Sequence, residues 1–202
     1  MPSLPSAIHD LANRWQTVDP RFGRPGAPLI ELDLGCGTGG FMLALARRYP
    51  ERLILGAEVQ FGRLRRLQNV IRQGGFRNVE LMLVNNLELI GFMLPDASVR
   101  RLHLLCPDPW PKARHRAKRL ATTAFFTQVA RVLEPGGVLH LATDHLPYHD
   151  VQQAVVEGLP FFRAAPDAIA DLADLETDFE RRWKAAGKPV PHLAYVRLSE
   201  SC

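Results

Sequence analysis

The chain has 202 residues, of which 47% are hydrophobic, and this composition suits one compact domain with a substantial core. It contains no run of roughly 20 apolar residues, as a membrane span requires, and no basic-then-apolar start typical of a signal peptide. Its three cysteines are scattered, which argues against a disulfide framework and a structural zinc site. We therefore expect a cytoplasmic protein with no membrane association and no bound metal.

The positive charge of the chain is concentrated in one segment. The formal net charge is +4, and residues 112–119, which we call the basic run, carry five cations and no acid. A second group of arginines lies in residues 63–77, whereas acids dominate residues 157–180. A body with one basic side indicates a polyanionic partner on that side, although solvated faces explain the charge alone equally well.

The first 28 residues form a proline-rich N-terminal extension, in which residues 8–15 are predicted to form a helix. Residues 29–202 are predicted to be a single domain in which strands alternate with helices, one of them over residues 41–48. The next helix has Leu64, Leu67 and Ile71 on one face and arginines on the other. The predicted strands are residues 28–34, 53–58, 79–84, 99–105, 137–142, 161–162 and 193–198.

This order of elements indicates an α/β fold. Strands that alternate with helices favour a mostly parallel sheet with helices on both faces. The last two strands follow each other late in the chain and are predicted to form a C-terminal antiparallel hairpin. The pattern is that of a Rossmann-like domain with a seven-stranded sheet, although the pattern alone does not fix the topology.

Acids or amides follow five consecutive predicted strands. The carboxyl ends of parallel strands meet at one edge of the sheet, where open α/β sheets bind their ligands. A single acid at such a place usually caps a helix. Five strand ends together indicate a ligand site, and their residues are Asp33, Glu58, Asn85 with Asn86, Asp108 and Asp144.

The glycine-rich segment after the first of these strands fits two fingerprints. Gly35, Gly37 and Gly40 match the dinucleotide loop, and Glu58 lies where an acid would accept both ribose hydroxyls. Asp33, with Gly35, Gly37 and Gly39 alternating after it, resembles instead the first motif of class I methyltransferases. Their donor, S-adenosylmethionine, carries a sulfonium and an ammonium group and no phosphate. An acid beside the loop suits that ligand and would repel a pyrophosphate.

The segment after the fourth strand reads Pro-Asp-Pro-Trp-Pro-Lys-Ala-Arg-His from residue 107 to 115 and leads into the basic run. It closely resembles the hallmark of the bacterial tRNA (guanine-N7)-methyltransferases. The resemblance continues at Ala-Thr-Asp over residues 142–144 and at Thr-x-x-Glu over residues 177–180. It covers residues 29–195, most of the chain, with the motifs in the family's order.

The resemblance implies a class I methyltransferase that methylates N7 of a guanosine, expected in the tRNA variable loop. Asp108 is the implied catalytic acid. The implied donor contacts are Asp33, Gly35, Gly37, Gly39, Glu58 and the pair Asn85 and Asn86, where family members often carry an acid. The implied tRNA-side residues are Lys112, Arg114, Asp144, Thr177, Asp178, Phe179 and Glu180. Whether the protein is a monomer or a homodimer stays open.

Other hypotheses fit parts of the sequence. The rivals are an amino-methyltransferase, a non-catalytic RNA-binding module and a nicotinamide oxidoreductase. A metal site at His145 and His149 is disfavoured, because a tetrahedral site needs more convergent ligands. Cys106 is better explained as a buried small side chain than as a nucleophile. His103 and His140 lie within strands and are expected in the core or on a sheet face. Trp110 is expected either to stack on a base or to pack its own loop.

Overall fold

A computed structural model describes residues 8–10, 28–110, 112, 114, 115 and 119–199. In this part of the chain the strands form one eight-stranded sheet with the order β1-β4-β3-β2-β5-β6-β8-β7. Neighbouring strands are parallel except for the pairs β6–β8 and β7–β8. The strands are β1 (Ile8–Asp10), β2 (Ile30–Leu34), β3 (Leu53–Glu58), β4 (Val79–Leu83), β5 (Val99–Leu105), β6 (Leu133–Ala142), β7 (Phe162–Ala164) and β8 (His192–Arg197).

The connections between the strands are mostly helical. The helices are α1 (Gly40–Arg48), α2 (Phe61–Gln73), α3 (Asn86–Glu88), α4 (Thr123–Val132), α5 (Leu146–Glu157) and α6 (Asp178–Ala185). A π-helical turn, Leu89–Met93, continues α3, and a 3-10 helix, Pro166–Leu172, follows β7. Within the described residues, no helix has both the length and the apolar character that crossing a bilayer requires.

The predicted seven strands are confirmed as β2 to β8, including the antiparallel strands at the end. The eighth strand, β1, corrects the prediction of a helix over residues 8–15, because Ile8–Asp10 pairs in parallel with residues 81–83 of β4. The backbone groups at the edge of β4 pair with residues 8–10. The local sequence pattern of residues 8–15 does not show this long-range pairing. The rest of that expected helix lies outside the described residues.

The strand predicted over residues 137–142 is longer in the structure, since β6 begins at Leu133. Pro135 and Gly136 suggest a turn in the sequence, yet they lie inside the strand. The register between β5 and β6 shifts at this place, and Gly136 has a φ of 77°. The irregular register therefore accommodates three extra residues of β6 without ending the strand.

Apolar clusters cover both faces of the sheet. Ile30, Leu32 and Leu34 of β2 pack in the cluster that includes residues of α4 and α5. The second cluster includes residues of α1 and α2. Because side chains alternate along a strand, the buried Glu31 and Asp33 point to this second face. Polar groups are thus buried under α1, beside the carboxyl ends of the strands.

Candidate active site

The loop between β2 and α1, residues 35–39, is held by its glycines and by β3. The nitrogens of Gly35 and Cys36 both donate to the carbonyl oxygen of Ala57, at 2.8 and 3.0 Å. Gly39 has a φ of 82°, and a β-carbon there would lie 2.4 Å from Cδ1 of Leu67 on α2. Only glycine meets both conditions at that position. The loop therefore has a fixed shape with its backbone open to a ligand.

Asp33 is a buried carboxylate at the base of this loop. Its side chain is 4% exposed, and burial, together with the nearby Glu58 and Glu180, raises its pKa to about 7. Within the described residues no cation pairs with it. A buried acid without a counter-charge fits a ligand that brings its own cation, such as the ammonium group of S-adenosylmethionine.

Glu58 ends β3 on the neighbouring side of the loop and is 5% exposed. Its Oε1 accepts hydrogen bonds from the backbone nitrogens of Val59 and Gln60, at 2.9 and 3.1 Å. Its Oε2 lies 3.2 Å from Nη1 of Arg63 on α2. These bonds fix the carboxylate at the strand end and leave acceptor capacity for the two hydroxyls of a ribose.

The two asparagines after β4 have different surroundings in the structure. The Oδ1 of Asn85 accepts a hydrogen bond from the nitrogen of Leu87 at 2.8 Å and so caps α3. Asn86 reaches the glycine loop, since its Nδ2 lies 3.8 Å from where a β-carbon on Gly35 would be. The sequence left the choice between them open. In the structure Asn86 is the one that lies beside the glycine loop.

Residues 107–110, which we call the Pro-Asp-Pro-Trp turn, follow β5. Asp108 is exposed at its tip. The residues flanking the tip have left-handed backbones, with a φ of 49° at Cys106 and 41° at Trp110. The Trp110 ring contacts the His115 ring edge-on, with centroids 5.4 Å apart. In this structure Trp110 therefore contacts another residue of its own segment.

Arg119 holds this turn from the end of the basic run. Its Nε donates to the carbonyl oxygen of Pro109 at 2.9 Å, and its Nη2 donates to that of Trp110 at 3.1 Å. In the structure the guanidinium of Arg119 is therefore bound to the turn through its Nε and Nη2 groups. No short sequence pattern marks this contact, because it joins residues ten positions apart through a loop.

The late Thr-x-x-Glu segment lies against the glycine loop. Thr177 and Glu180 form a reciprocal capping box at the start of α6. Asp178 accepts a hydrogen bond from the hydroxyl of Thr38, and a β-carbon on Gly40 would lie 2.8 Å from its Oδ1. Distant parts of the chain thus meet beside the glycine loop.

Glu180 is the most enclosed acid of this segment, at 1% exposed. Its Oε2 accepts from the Thr177 nitrogen at 2.6 Å, and its Oε1 lies 2.7 Å from Nε2 of His192. Although burial opposes it, these partners lower the pKa of Glu180. Oε2 is therefore bound to the backbone, whereas Oε1 lies beside His192 without a hydrogen-bond partner among the described residues. Asp108 and the half-buried Asp144 are the strand-end acids that stay more open to a substrate.

The comparisons with known proteins agree with this geometry. A family model described as a putative methyltransferase matches residues 27–193. The chain is 36% identical over 193 residues to a tRNA (guanine-N(7)-)-methyltransferase of Leifsonia xyli, covering 94% of this chain and 84% of the relative. The chain belongs to the tRNA (guanine-N7)-methyltransferase family. Seven further relatives with that name are 32–35% identical, and the chain spans 56–82% of their lengths.

Solved structures confirm the class I methyltransferase fold of this family member. The 16S rRNA methyltransferase KamB aligns with a TM-score of 0.61 at 18% identity, over 85% of this chain and 88% of that one. A putative methyltransferase from Streptococcus mutans in complex with SAH aligns with a TM-score of 0.56 at 17% identity, over 84% of this chain and 89% of that one. At these identities the likeness concerns the fold alone.

Three residues near the site have structural explanations in this family member. Burial and the neighbouring Glu180 and Asp144 raise the pKa of Cys106 to about 12, which keeps the thiol protonated and unsuited to nucleophilic attack. The Nδ1 of His145 accepts from the nitrogen of Tyr148 at 3.2 Å and caps α5. His149 lies 3.3 Å from Asp150 on the same helix.

Replacing Asp33 by asparagine is expected to stabilise the free protein and to weaken donor binding. The pKa of Asp33 in the folded protein, about 7, lies above its ordinary value of 3.8. The buried charge therefore destabilises the fold increasingly as the pH rises through this window, and fully above it. The variant should gain about 1–3 kcal/mol in unfolding free energy at about pH 8.5 and less at about pH 5.

Denaturant unfolding at the two pH values and calorimetry with S-adenosylmethionine measure both effects. The matched control is Asp150→Asn, because that carboxylate is 78% exposed; it should change neither quantity. An Asp33 variant that is less stable than the parent at high pH would mean that a partner outside the described residues neutralises Asp33.

Proposed function

We propose that this protein transfers the methyl group of S-adenosylmethionine to N7 of a guanosine in tRNA, in the cytoplasm. One juxtaposition carries the proposal. β2 and β5 are adjacent parallel strands, so the buried Asp33 near the end of β2 and the exposed Asp108 of the Pro-Asp-Pro-Trp turn lie at neighbouring strand ends. A site for a cationic donor therefore adjoins an acid that is open to a substrate. The name shared by the relatives supports the same reaction.

The donor side is assigned residue by residue. The carboxylate of Asp33 faces the ammonium group, and that of Glu58 accepts from the ribose hydroxyls. Asn86, beside Gly35, borders the adenine side. When bound, the donor supplies a methyl group on a cationic sulfur. The glycine loop and α6, joined through Thr38 and Asp178, form the wall that orients this ligand.

The guanine side needs positioning and charge stabilisation but no base. Guanine N7 carries an in-plane lone pair and no proton, and the base becomes positive as the methyl arrives. Asp108 accepts hydrogen bonds from the N1–H and 2-amino groups and offsets the new charge, with Asp144 at the next strand end as its neighbour. Adenine lacks these donors at the corresponding edge, so the same pair discriminates against it. Glu180 acts indirectly, because its carboxylate binds the backbone nitrogen of Thr177 at the start of α6.

The deciding experiment is methyl transfer to unmodified tRNA followed by nucleoside analysis. We expect 7-methylguanosine from a guanosine of the variable loop. A transcript with 7-deazaguanosine is the matched control, because it keeps the N1–H and 2-amino groups and lacks only N7. Methylation of that control, or products at adenine or cytosine, would replace the proposal by an amino-methyltransferase. Donor binding without any product would favour a non-catalytic RNA-binding module.

Lys112 and Arg114 are proposed to hold tRNA phosphates. Both are exposed immediately after the Pro-Asp-Pro-Trp turn. Replacing both by alanine should raise the tRNA Michaelis constant and lower the salt dependence of tRNA binding by about two counterions. Donor affinity should not change.

The control for this pair is Arg77→Ala with Arg163→Ala, which removes the same charge from other exposed positions. Arg77 precedes β4 and so lies at the opposite edge of the sheet from the site. Titrations of tRNA at several salt concentrations compare the two double variants. Equal salt slopes for both would show that the pair at 112 and 114 makes no specific phosphate contact.

A further inference from the structure

The outer side of α2 is an exposed basic surface that the proposed function does not use. Residues 59–79, which include this helix, contain five arginines and no acid. One side of the helix is buried against the sheet through Leu64, Leu67 and Ile71. We call the opposite side the arginine face, and its exposed residues are Arg65, Arg66, Asn69, Arg72 and Gln73. Three of the five arginines are therefore displayed on one side of a single helix.

Acids do not balance the charge of this face in the part of the chain that the structure describes. A solvated helix commonly pairs its cations with acids three or four residues away. The exposed side of α6 follows that pattern, since Arg181 binds Asp178. On α2, by contrast, no acid among the described residues pairs with Arg65 or Arg66. The two guanidinium groups are therefore available to an anionic partner.

The arginine face starts at the same edge of the sheet as the proposed methyl-transfer site. α2 begins at Phe61, three residues after β3 ends at Glu58. With a rise of about 1.5 Å per residue, Arg65 and Arg66 lie about 6–8 Å from the start of the helix. Only β2 separates β3 from β5, so the carboxyl ends of these two strands are about 10 Å apart. A polyanion bound beside Asp108 can therefore extend onto α2.

The chemistry of the arginine face suits RNA. Guanidinium groups bind phosphates through planar sets of donors. Phe61, one helical turn before Arg65, is 54% exposed, and exposed rings beside arginines are typical of surfaces that bind RNA. A membrane is a poor partner, because the apolar side of α2 is packed against the sheet and is unavailable for insertion. Charge and chemistry therefore favour a nucleic acid.

We propose that the arginine face of α2 binds phosphates of the tRNA outside the loop that carries the target guanosine. Lys112 and Arg114 follow the Pro-Asp-Pro-Trp turn and lie next to the reacting base. Arg65 and Arg66 lie two strands away, on the side of the donor, and so meet a different stretch of the same RNA. The inference rests on the proposed function for the identity of that RNA. Two separate phosphate contacts let the protein recognise a folded tRNA rather than a single loop.

Titrations of full-length tRNA at several salt concentrations test the contact. Arg65→Ala with Arg66→Ala should raise the dissociation constant about tenfold at about 0.1 M salt and lower the salt dependence by about two counterions. Arg65→Glu with Arg66→Glu should have a larger effect, because it adds repulsion. Arg65→Lys with Arg66→Lys keeps the charge and should retain most of the salt dependence. Because alanine favours helices, the alanine pair should lower neither the unfolding free energy nor the affinity for S-adenosylmethionine.

The matched control is again Arg77→Ala with Arg163→Ala. Arg77 belongs to the same acid-free segment and is exposed, but it precedes β4 at the opposite edge of the sheet. Combining the alanine pair on α2 with Lys112→Ala and Arg114→Ala should lower the salt dependence by about four counterions, because distant contacts add. Parental tRNA affinity in both the alanine and the glutamate pair, or an equal loss in the control, would overturn the inference. The arginine face would then belong to solvent or to an acidic protein.

Hydroxyl-radical footprinting of the bound tRNA locates the two contacts. The alanine pair on α2 should lose protection outside the variable loop, whereas the pair at 112 and 114 should lose it beside the target guanosine. Loss at the same nucleotides in both would contradict the inference. If the parent bound tRNA without methylating it, the proposed reaction would be wrong and the footprint would still decide the α2 contact. If the parent methylated tRNA and the α2 variants bound it as the parent does, the proposed function would stand and the inference would be wrong.

Discussion

Asp108→Asn is expected to slow methyl transfer about 100- to 1,000-fold while both substrates still bind, which is typical of losing one preorganised electrostatic contact. Asparagine keeps the size of the side chain and its ability to accept one hydrogen bond. It removes the negative charge that offsets the charge appearing on the guanine. The effect should therefore appear in turnover rather than in affinity.

The structure adds a reason to expect a large effect. Asp108 lies between residues with left-handed backbones, and Arg119 binds the carbonyl oxygens of Pro109 and Trp110 that follow it. The carboxylate therefore lies on a turn whose backbone is fixed, and it needs little reorganisation during the reaction. A helix-capping role would predict the opposite, since asparagine caps as well as aspartate.

Single-turnover methylation at saturating tRNA and donor measures this prediction. Asp144→Asn, at the neighbouring strand end, is made in parallel. A rate for Asp108→Asn within a few-fold of the parent, together with a large loss for Asp144→Asn, would assign the role to Asp144.

Glu58→Ala is expected to weaken S-adenosylmethionine binding by about 2–3 kcal/mol, or roughly 30- to 150-fold in the dissociation constant. The carboxylate is expected to accept from both ribose hydroxyls. It also binds the backbone nitrogens of Val59 and Gln60, so alanine removes a support of the α2 start as well. Glu58→Gln separates these roles, because its amide oxygen still accepts from the backbone.

Calorimetry with two ligands locates the contact. The analogue 5′-methylthioadenosine keeps the ribose and lacks the amino acid part of the donor. Both Glu58 variants should bind it more weakly, whereas Asp33→Asn should bind it as the parent does. A Glu58 variant with unchanged affinity for both ligands would show that this carboxylate does not contact the ribose.

The sequence predicted the burial of His103 and His140 but not their contacts. Their places within strands predicted buried or sheet-face positions, and both are buried on the sheet. Their contacts with each other, with Glu31 and with His192 were not predicted, because these residues are far apart in the chain. Only the order β2-β5-β6-β8 brings their four strands side by side. The same is true of Arg119, whose partners depend on how a loop closes.

The sequence by itself determined the features that depend on local pattern. Hydrophobic runs and glycines placed seven strands, the glycine loop and the strand-end acids, because period, turn chemistry and chain direction are encoded in neighbouring residues. The tertiary structure decided which of these groups are free to act. Glu180 accepts a hydrogen bond from Thr177 and lies beside His192, and Asn85 caps α3. Asp33, by contrast, is buried without a cation among the described residues. Hydrogen-bond partners and desolvation depend on residues far apart in the chain, and no local pattern carries that information.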